Sequence, residues 1–420
     1  MTDLSPAIGR QATRILFARL SDWLSANRWL VIIGTLMLVR VLIDALFVVG
    51  YPRLESHMWF YFHHGGDQDY YFEHAQALAE GPLDYFAINV GLPAVMAVLI
   101  RLTGAVTYDG ILTPMVLLNG FVLGTLSVLI IGLLAKRVFD SENLGLLTAG
   151  LWAFAPWLLY AVFGFHSQAK WLRAPYVPAM AWLNMNSDGP AIFFLLLGML
   201  LLWKSVDEGH KWNAFFASLF LGLSVLFRIH MALPVGVGFI IIVLRLQSLR
   251  MATLAALGGV SGYIPQVVYN RLASLAIDQA YINPFLPGYL YYGYIGSGGI
   301  GIVDPHVRLE WRPLAFGHLL NSIERFLAPR LPLVFLLLIL AFALAFPFWA
   351  LVRHKRLRTA LFTYLIAPVM IGFAAASSAF VTDPFRFFMP AIPFLLLAGV
   401  WSLHWLWGLI SSAKAARLAQ

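Results

Sequence analysis

Asn89-Val90-Gly91-Leu92-Pro93-Ala94-Val95-Met96-Ala97-Val98-Leu99-Ile100-Arg101-Leu102-Thr103-Gly104 is the stretch on which the reading of the whole chain turns. As a helix its roughly 16 residues reach about 24 Å, short of a hydrocarbon core of about 30 Å. If it does not cross, the clusters Lys136/Arg137, Lys204/Lys211, Arg245/Arg250, Arg353-His354-Lys355-Arg356-Leu357-Arg358 and Lys414/Arg417 all fall on the side of the Arg-rich amino terminus. If it crosses, every one of them moves to the opposite side. Lys and Arg concentrate in cytoplasmic loops, so the stretch reads as an interfacial helix in the outer leaflet and both termini read as cytoplasmic.

Outward from there the chain is almost wholly apolar. Of 420 residues 60% are hydrophobic and 11% charged, whereas a water-coated protein carries about 25% charge. The expected spans are Trp29–Gly50, Gly110–Ala135, Leu144–Phe165, Gly189–Trp203, Trp212–Phe227, Met231–Leu244, Ala252–Tyr269, Leu331–Val352, Leu361–Val381 and Phe387–Ile410. Trp212–Phe227 and Met231–Leu244 are short and read as tilted halves of a hairpin meeting near Pro234. The fold class is therefore an all-α polytopic membrane protein with about ten transmembrane helices. Residues 1–28 form a basic amphipathic segment, with Arg10, Arg14 and Arg19 among Ile15, Leu16, Leu20, Trp23 and Leu24, which suits the cytoplasmic membrane surface better than a cleaved signal. A transmembrane module over 29–269 follows, with a first outer loop at 51–109. A second outer loop at 270–330 precedes the carboxy-terminal helices and short cytoplasmic tail at 331–420. The net charge of +8 sits between apolar runs, which points to topology and lipid headgroups and away from nucleic acid. With no cysteine, disulfides, thiolate metal sites and a Cys nucleophile are excluded.

The outer loops Tyr51–Asp109 and Asn270–Arg330 hold His57, His63, His64, Asp67, Asp69, Glu73, His74, Asp278, Asp304, His306, Glu310 and Arg312. Polar loops gather where chemistry meets water. A transporter would set its ionisable groups at the midplane and favour an internal repeat, and the sequence has no such repeat. The distribution points to an enzyme.

In the first loop, the segment from Gly66 to Gly81 reads as a short amphipathic helix with a Gly stop. Asp69, Glu73, Gln76 and Glu80 share one face; Tyr71, Ala75 and Leu78 share another. Asp67 falls at the helix start, where free amides and the dipole favour a carboxylate. Other stretches to set beside it are Gly91-Leu92-Pro93, Asn184-Met185-Asn186-Ser187-Asp188-Gly189-Pro190, Gly222-Leu223-Ser224 ahead of Arg228, and Asp383-Pro384-Phe385-Arg386-Phe387-Phe388-Met389-Pro390.

Taken in order, these stretches resemble the GT-C glycosyltransferases, among them the dolichyl-phosphate-mannose protein mannosyltransferases and their bacterial relatives. The resemblance implies a polyprenyl-phosphate-linked sugar as donor and transfer on the outer face of the membrane, with Asp188 at the family's second acidic site. Two departures stand out. The family often has Asp-Glu where this chain has Asp67-Gln68, and the lipid A aminoarabinose transferases carry a Lys where this chain reads Ile88-Asn89-Val90-Gly91.

Such a transfer has a good leaving group, so it needs a base for the acceptor proton and cations for the departing phosphate. Asp67 is the expected base, with inversion in one displacement; Asp69 is the runner-up, and a cap at the helix start is the plainer role for Asp67. Asp188 is expected either to organise its loop and bind acceptor or to cap the helix ahead of Pro190. Arg386, Arg228, Lys170 and Arg173 are the phosphate candidates, Arg386 first. Tyr70 and His306 join the substrate-binding set, with Glu310 and Arg312 near the acceptor. Arg40 and Asp44, four apart inside the first span, read as an intrahelical pair, or alternatively put Arg40 on the lipid phosphate. His63, His64, Asp67, Asp69 and His74 are the residues that would hold a divalent metal, though their spacing matches no strong ligand pattern. Tyr281, Tyr289, Tyr291, Tyr292 and Tyr294 with Gly296–Gly299 read as a flap over the site or an interfacial anchor. The acceptor is a lipid, a glycan or a protein. The rival readings are an O-antigen-ligase-like polymer transferase and a lipid or sugar transporter.

Overall fold

The computed structural model describes residues 22–23, 25–50, 67–81, 89–164, 182–183, 185–236, 238–239, 248–276, 301–304, 308–310 and 389–418. In chain order these form α1 (Arg28–Gly50), α2 (Asp67–Glu80), α3 (Gly91–Thr103), α4 (Tyr108–Phe139), α5 (Glu142–Gly164), α6 (Asp188–Glu208), α7 (Lys211–Phe227) and α8 (Leu249–Ala276). A hairpin of β1 (Gly301–Asp304) and β2 (Arg308–Glu310) follows, then α9 (Ile392–Leu418). The hairpin pairs Gly301 with Glu310 and Ile302 with Leu309, antiparallel. It is a small departure from the all-α expectation, within the stretch 270–330 that the sequence reading takes as an outer loop. The spans expected at Leu331–Val352 and Leu361–Val381 lie outside the described residues.

Among the described residues, five stretches are long and apolar enough to cross a membrane: Arg28–Leu46, Tyr108–Phe139, Asp188–Ser205, Leu249–Ala276 and Met389–Ser412. α3 has 13 residues, about 20 Å of helix, too short for the hydrocarbon core. Its start is buried from Asn89 through Pro93, and Val98 and Leu102 are exposed on the far side. The pattern is that of a helix lying against the bundle with one apolar face turned outward.

α7 packs mainly against α8 and α6. A Cβ at Gly258 would overlap the Phe215 carbonyl oxygen, and one at Gly262 the Leu219 carbonyl oxygen, so the two backbones touch where α7 and α8 cross. This is close packing of small residues four apart, which suits helices that gain little from hydrophobic association within lipid.

α4 is not uniform. Pro114 removes one backbone donor, and Leu117–Gly124 winds as a wider π-helical turn before α-helix resumes at Thr125. The segment ahead of α6 presses into that turn: a side chain at Gly120 would meet Leu183 Cδ2 at 2.6 Å and the Trp182 carbonyl oxygen at 3.1 Å.

The two ends of the bundle differ in chemistry. At one end Lys136 pairs with Glu142 at 2.5 Å, Arg137 with Glu208 at 3.0 Å, and the Lys136 ammonium lies 5.2 Å from the Trp29 ring centroid. The ends of α4 and α6 therefore meet the starts of α1 and α5. Asp188 opens α6 and Glu208 closes it, so the acids considered next lie about 30 Å away along that helix.

Candidate functional site

α2 begins at Asp67, as the sequence suggests, and stops at Gly81, whose φ of 116° is readily adopted only by glycine. Its buried face is Gln68, Tyr71, Phe72 and Ala75, the i, i+3, i+4, i+7 stripe of an amphipathic helix. Of the face that Tyr71, Ala75 and Leu78 are expected to share, Tyr71 and Ala75 are buried and Leu78 is half-buried; Gln68 and Phe72 join them. The Phe72 ring meets Tyr108 edge-on at 5.9 Å, seating α2 on the start of α4. Gln76 Nε2 donates to the Val106 carbonyl at 2.9 Å. Arg101 of α3 donates to the Ala79 and Leu78 carbonyls at 3.0 and 3.4 Å, placing a cation on the carboxy-terminal carbonyls of α2.

The amino-terminal end of α2 is tied to the segment before α6. Gln68 Oε1 accepts from the Met185 amide at 2.9 Å, and the Tyr71 hydroxyl and Ser187 Oγ share a hydrogen bond at 2.9 Å. Asp188 follows directly as the first residue of α6. Its carboxylate forms an ion pair with Arg228 Nη1, with 2% and 9% of the two side chains exposed. Arg228 lies where α7 ends: its backbone is extended, and a short 3₁₀ turn, Ile229–Met231, follows. The break between the two short apolar runs therefore falls at Arg228, a few residues before Pro234. Arg228 Nε also donates to His230 Nδ1 at 3.4 Å.

Asn89 binds this turn to α3. Its Nδ2 donates to the Val225 carbonyl at 3.1 Å and its Oδ1 accepts from the Ile229 amide at 3.2 Å. The Val90 amide donates to Gln266 Oε1 of α8 at 2.8 Å, and Gln266 Nε2 donates to Asn270 Oδ1 at 2.9 Å. A Cβ at Gly91 would stand 2.8 Å from the Leu226 carbonyl oxygen, so only glycine allows this approach. Asn89, Gln266 and Asn270 are buried and each is hydrogen-bonded, as buried amides must be.

The structure thus brings the acid helix carrying Asp67 and Asp69 together with Asp188 and Arg228 at one end of the bundle. Asp69 is half-buried and Tyr70 is exposed, its ring edge-on to His74 at 4.2 Å. Burial holds His74 neutral, lowering its pKa to about 4. Arg40 and Asp44 form the intrahelical pair: Arg40 Nε donates to both Asp44 oxygens at 3.0 and 2.9 Å, with both residues fully buried. The lipid-phosphate alternative for Arg40 finds no support in this geometry. Lys170, Arg173, Arg386 and His306, like His63 and His64, lie outside the described residues. Among the described residues no three His, Asp or Glu side chains converge as metal ligands.

Gln68, Ser187, Asn89, Gln266 and His230 are site-end residues that pattern reading passed over. For Asn89, His230 and Gln266 the available signal was local: each is a polar side chain set among apolar neighbours, which in a lipid-embedded fold requires a partner.

No protein-family model matches the sequence, and no curated protein matches it. The fold is similar to that of the Archaeoglobus fulgidus oligosaccharyltransferase, solved by crystallography in the apo form, with a TM-score of 0.55 and 13% identity. The match covers 94% of this chain and 52% of that one. The chain spans about half the length of that enzyme's chain, and what is shared is the fold.

Proposed function

We propose that this protein is an inverting glycosyltransferase of GT-C type. It moves a sugar from a polyprenyl-phosphate donor to a lipid, glycan or protein acceptor at the outer face of the inner membrane. The observation that carries this reading is the convergence of the Asp67–Asp69 helix start with the Asp188–Arg228 pair, beside an apolar helix too short to span. The fold likeness to an oligosaccharyltransferase supports it, and so does the separation of the basic clusters from the acids along α6. In this reading the remaining apolar runs complete about ten spans, with both termini in the cytoplasm.

Asp67 is the general base, with Asp69 second. The base takes the proton of the acceptor hydroxyl as that oxygen bonds to the anomeric carbon. The bond from that carbon to the phosphate oxygen breaks, and its electron pair leaves with the polyprenyl phosphate. One displacement inverts the configuration. Arg386 receives the leaving phosphate, assisted by Lys170 and Arg173. Arg228 contributes positive potential while engaged by Asp188. Asp188 keeps Arg228 in place and orders the start of α6. Tyr70 and His306 contact substrate.

The test is transfer from a panel of radiolabelled polyprenyl-phosphate sugars, with parent and Asp67→Asn proteins side by side. Asp67→Asn should lower kcat by about 100-fold or more, the usual worth of a positioned base. Full activity in that variant moves the role to Asp69 or removes it. Flux of the same lipid in sealed vesicles without transfer would instead identify a transporter.

A further inference from the structure

We infer that Gln68 and Tyr71 are positioning residues that fix the acid helix against the Asp188–Arg228 pair, so that two segments far apart in sequence act as one site. The inference rests on the glycosyl-transfer reading above and adds the device that sets its geometry.

Gln68 stands between the two candidate acids, yet its side chain is turned into the protein, with 2% of the residue exposed. Its Oε1 accepts the Met185 amide across 117 residues of sequence. Without that oxygen a buried backbone donor would lose its partner in a medium without water to replace it. An amide suits the position because it offers an acceptor oxygen without adding a third carboxylate between Asp67 and Asp69.

Tyr71 makes the second tie one helical step away. Ser187 immediately precedes α6, the position from which a serine ordinarily accepts a hydrogen bond from its own helix. Here Ser187 makes no capping bond, and its fully buried hydroxyl meets the Tyr71 hydroxyl instead. Both ties leave the same face of α2 and end on residues 185 and 187, just ahead of Asp188. Sliding or turning α2 by one residue would break both. Neither residue touches the reacting atoms, so their contribution is to placement, and a misplacement of about 1 Å can lower a rate about 100-fold.

The experiment uses the full-length protein and variants Gln68→Leu, Tyr71→Phe, their combination, and Gln68→Glu. Because the chain has no cysteine, Glu73→Cys and Val268→Cys can carry a spin-label pair reporting the distance from α2 to α8 by pulsed EPR. Gln68→Leu and the double variant should broaden that distance distribution and lower kcat by about 100-fold, with donor KM little changed. Tyr71→Phe should do so to a smaller extent. Gln68→Glu, which keeps the acceptor oxygen and adds a charge, should preserve the narrow distribution and move the acidic limb of the pH–rate profile upward. An unchanged distribution in the double variant overturns the inference, and so does a broadened one with kcat within about twofold of the parent. If no donor is transferred even by the parent, the function proposed above fails, and the distance measurement still decides whether these two residues fix α2.

Discussion

Two buried arginine–aspartate pairs stand among the described residues, and they are built in opposite ways. Arg40 and Asp44 lie on the same face of α1, one turn apart, and the helix alone brings them together. Arg228 and Asp188 lie on different elements and meet only when the end of α7 reaches the start of α6. The first pair makes a polar step in a spanning helix tolerable in an apolar setting. The second is a tertiary fastening at the site end, reinforced by Asn89, Gln68 and Tyr71. Charges of the same type therefore serve insertion in one place and geometry in the other, and the difference can be tested by breaking each in turn.

The largest effect is expected at α1. Arg40→Ala or Asp44→Ala strands a buried charge and should destabilise the protein by about 3–5 kcal/mol, read as a drop in Tm in detergent. Replacing both by Leu should recover most of that loss, because removing a buried pair together is far milder than removing one partner. Transfer activity should return with the fold. At the site end, Arg228→Ala should destabilise by about 2–3 kcal/mol, somewhat less because this pair retains slight exposure. Here the comparison sharpens: Arg228→Leu with Asp188→Leu should restore Tm while transfer stays lost. Recovery of activity in that double variant would make the two pairs equivalent and remove Arg228 from the site.

A smaller effect is expected at Asn89→Ala, which removes two hydrogen bonds holding α3 to the Arg228 turn; about 1–3 kcal/mol is expected from the partners left unmatched. The smallest is a pH effect at His74. Its pKa is lowered from 6.5 to about 4 by burial, so between those values the unfolded chain binds the proton and the folded one does not. Stability should therefore be full above pH 6.5 and fall as pH drops toward 4. A Tm–pH profile should show that slope in the parent and a shallower one in His74→Phe. An identical slope would assign the acid sensitivity to other groups.

The contrast between the pairs also explains what the sequence disclosed. Helix starts and stops were legible because their causes are local. Asp67 opens α2, Gly81 ends it, and Gly104 ends α3 with a φ of 68°. The Arg40–Asp44 spacing was legible for the same reason. The shortness of α3 was legible from length against membrane thickness. The partners of Gln68, Asn89 and Arg228 were not, because helical periodicity records which face a residue takes and says nothing of which distant segment it meets. Asp188 illustrates the limit: read from its neighbours it is a helix-start acid, and only the tertiary fold supplies Arg228. The two short runs are expected to meet near Pro234, whereas an extended Arg228 makes the turn.

The wide turn at Leu117–Gly124 divides α4 into two phases. Before it, Ile111, Leu112 and Met115 face inward; after it, Val128, Ile131, Leu134 and Ala135 do. Each residue of an α-helix advances the rotation by about 100°, so the phase on one side of the turn depends on how many residues the turn contains. Losing a single residue there would swing Lys136 and Arg137 about a quarter of a revolution away from Glu142 and Glu208, while the upper half of the helix stayed seated beneath Phe72. The length of those few residues is what keeps the two ends of the bundle in step.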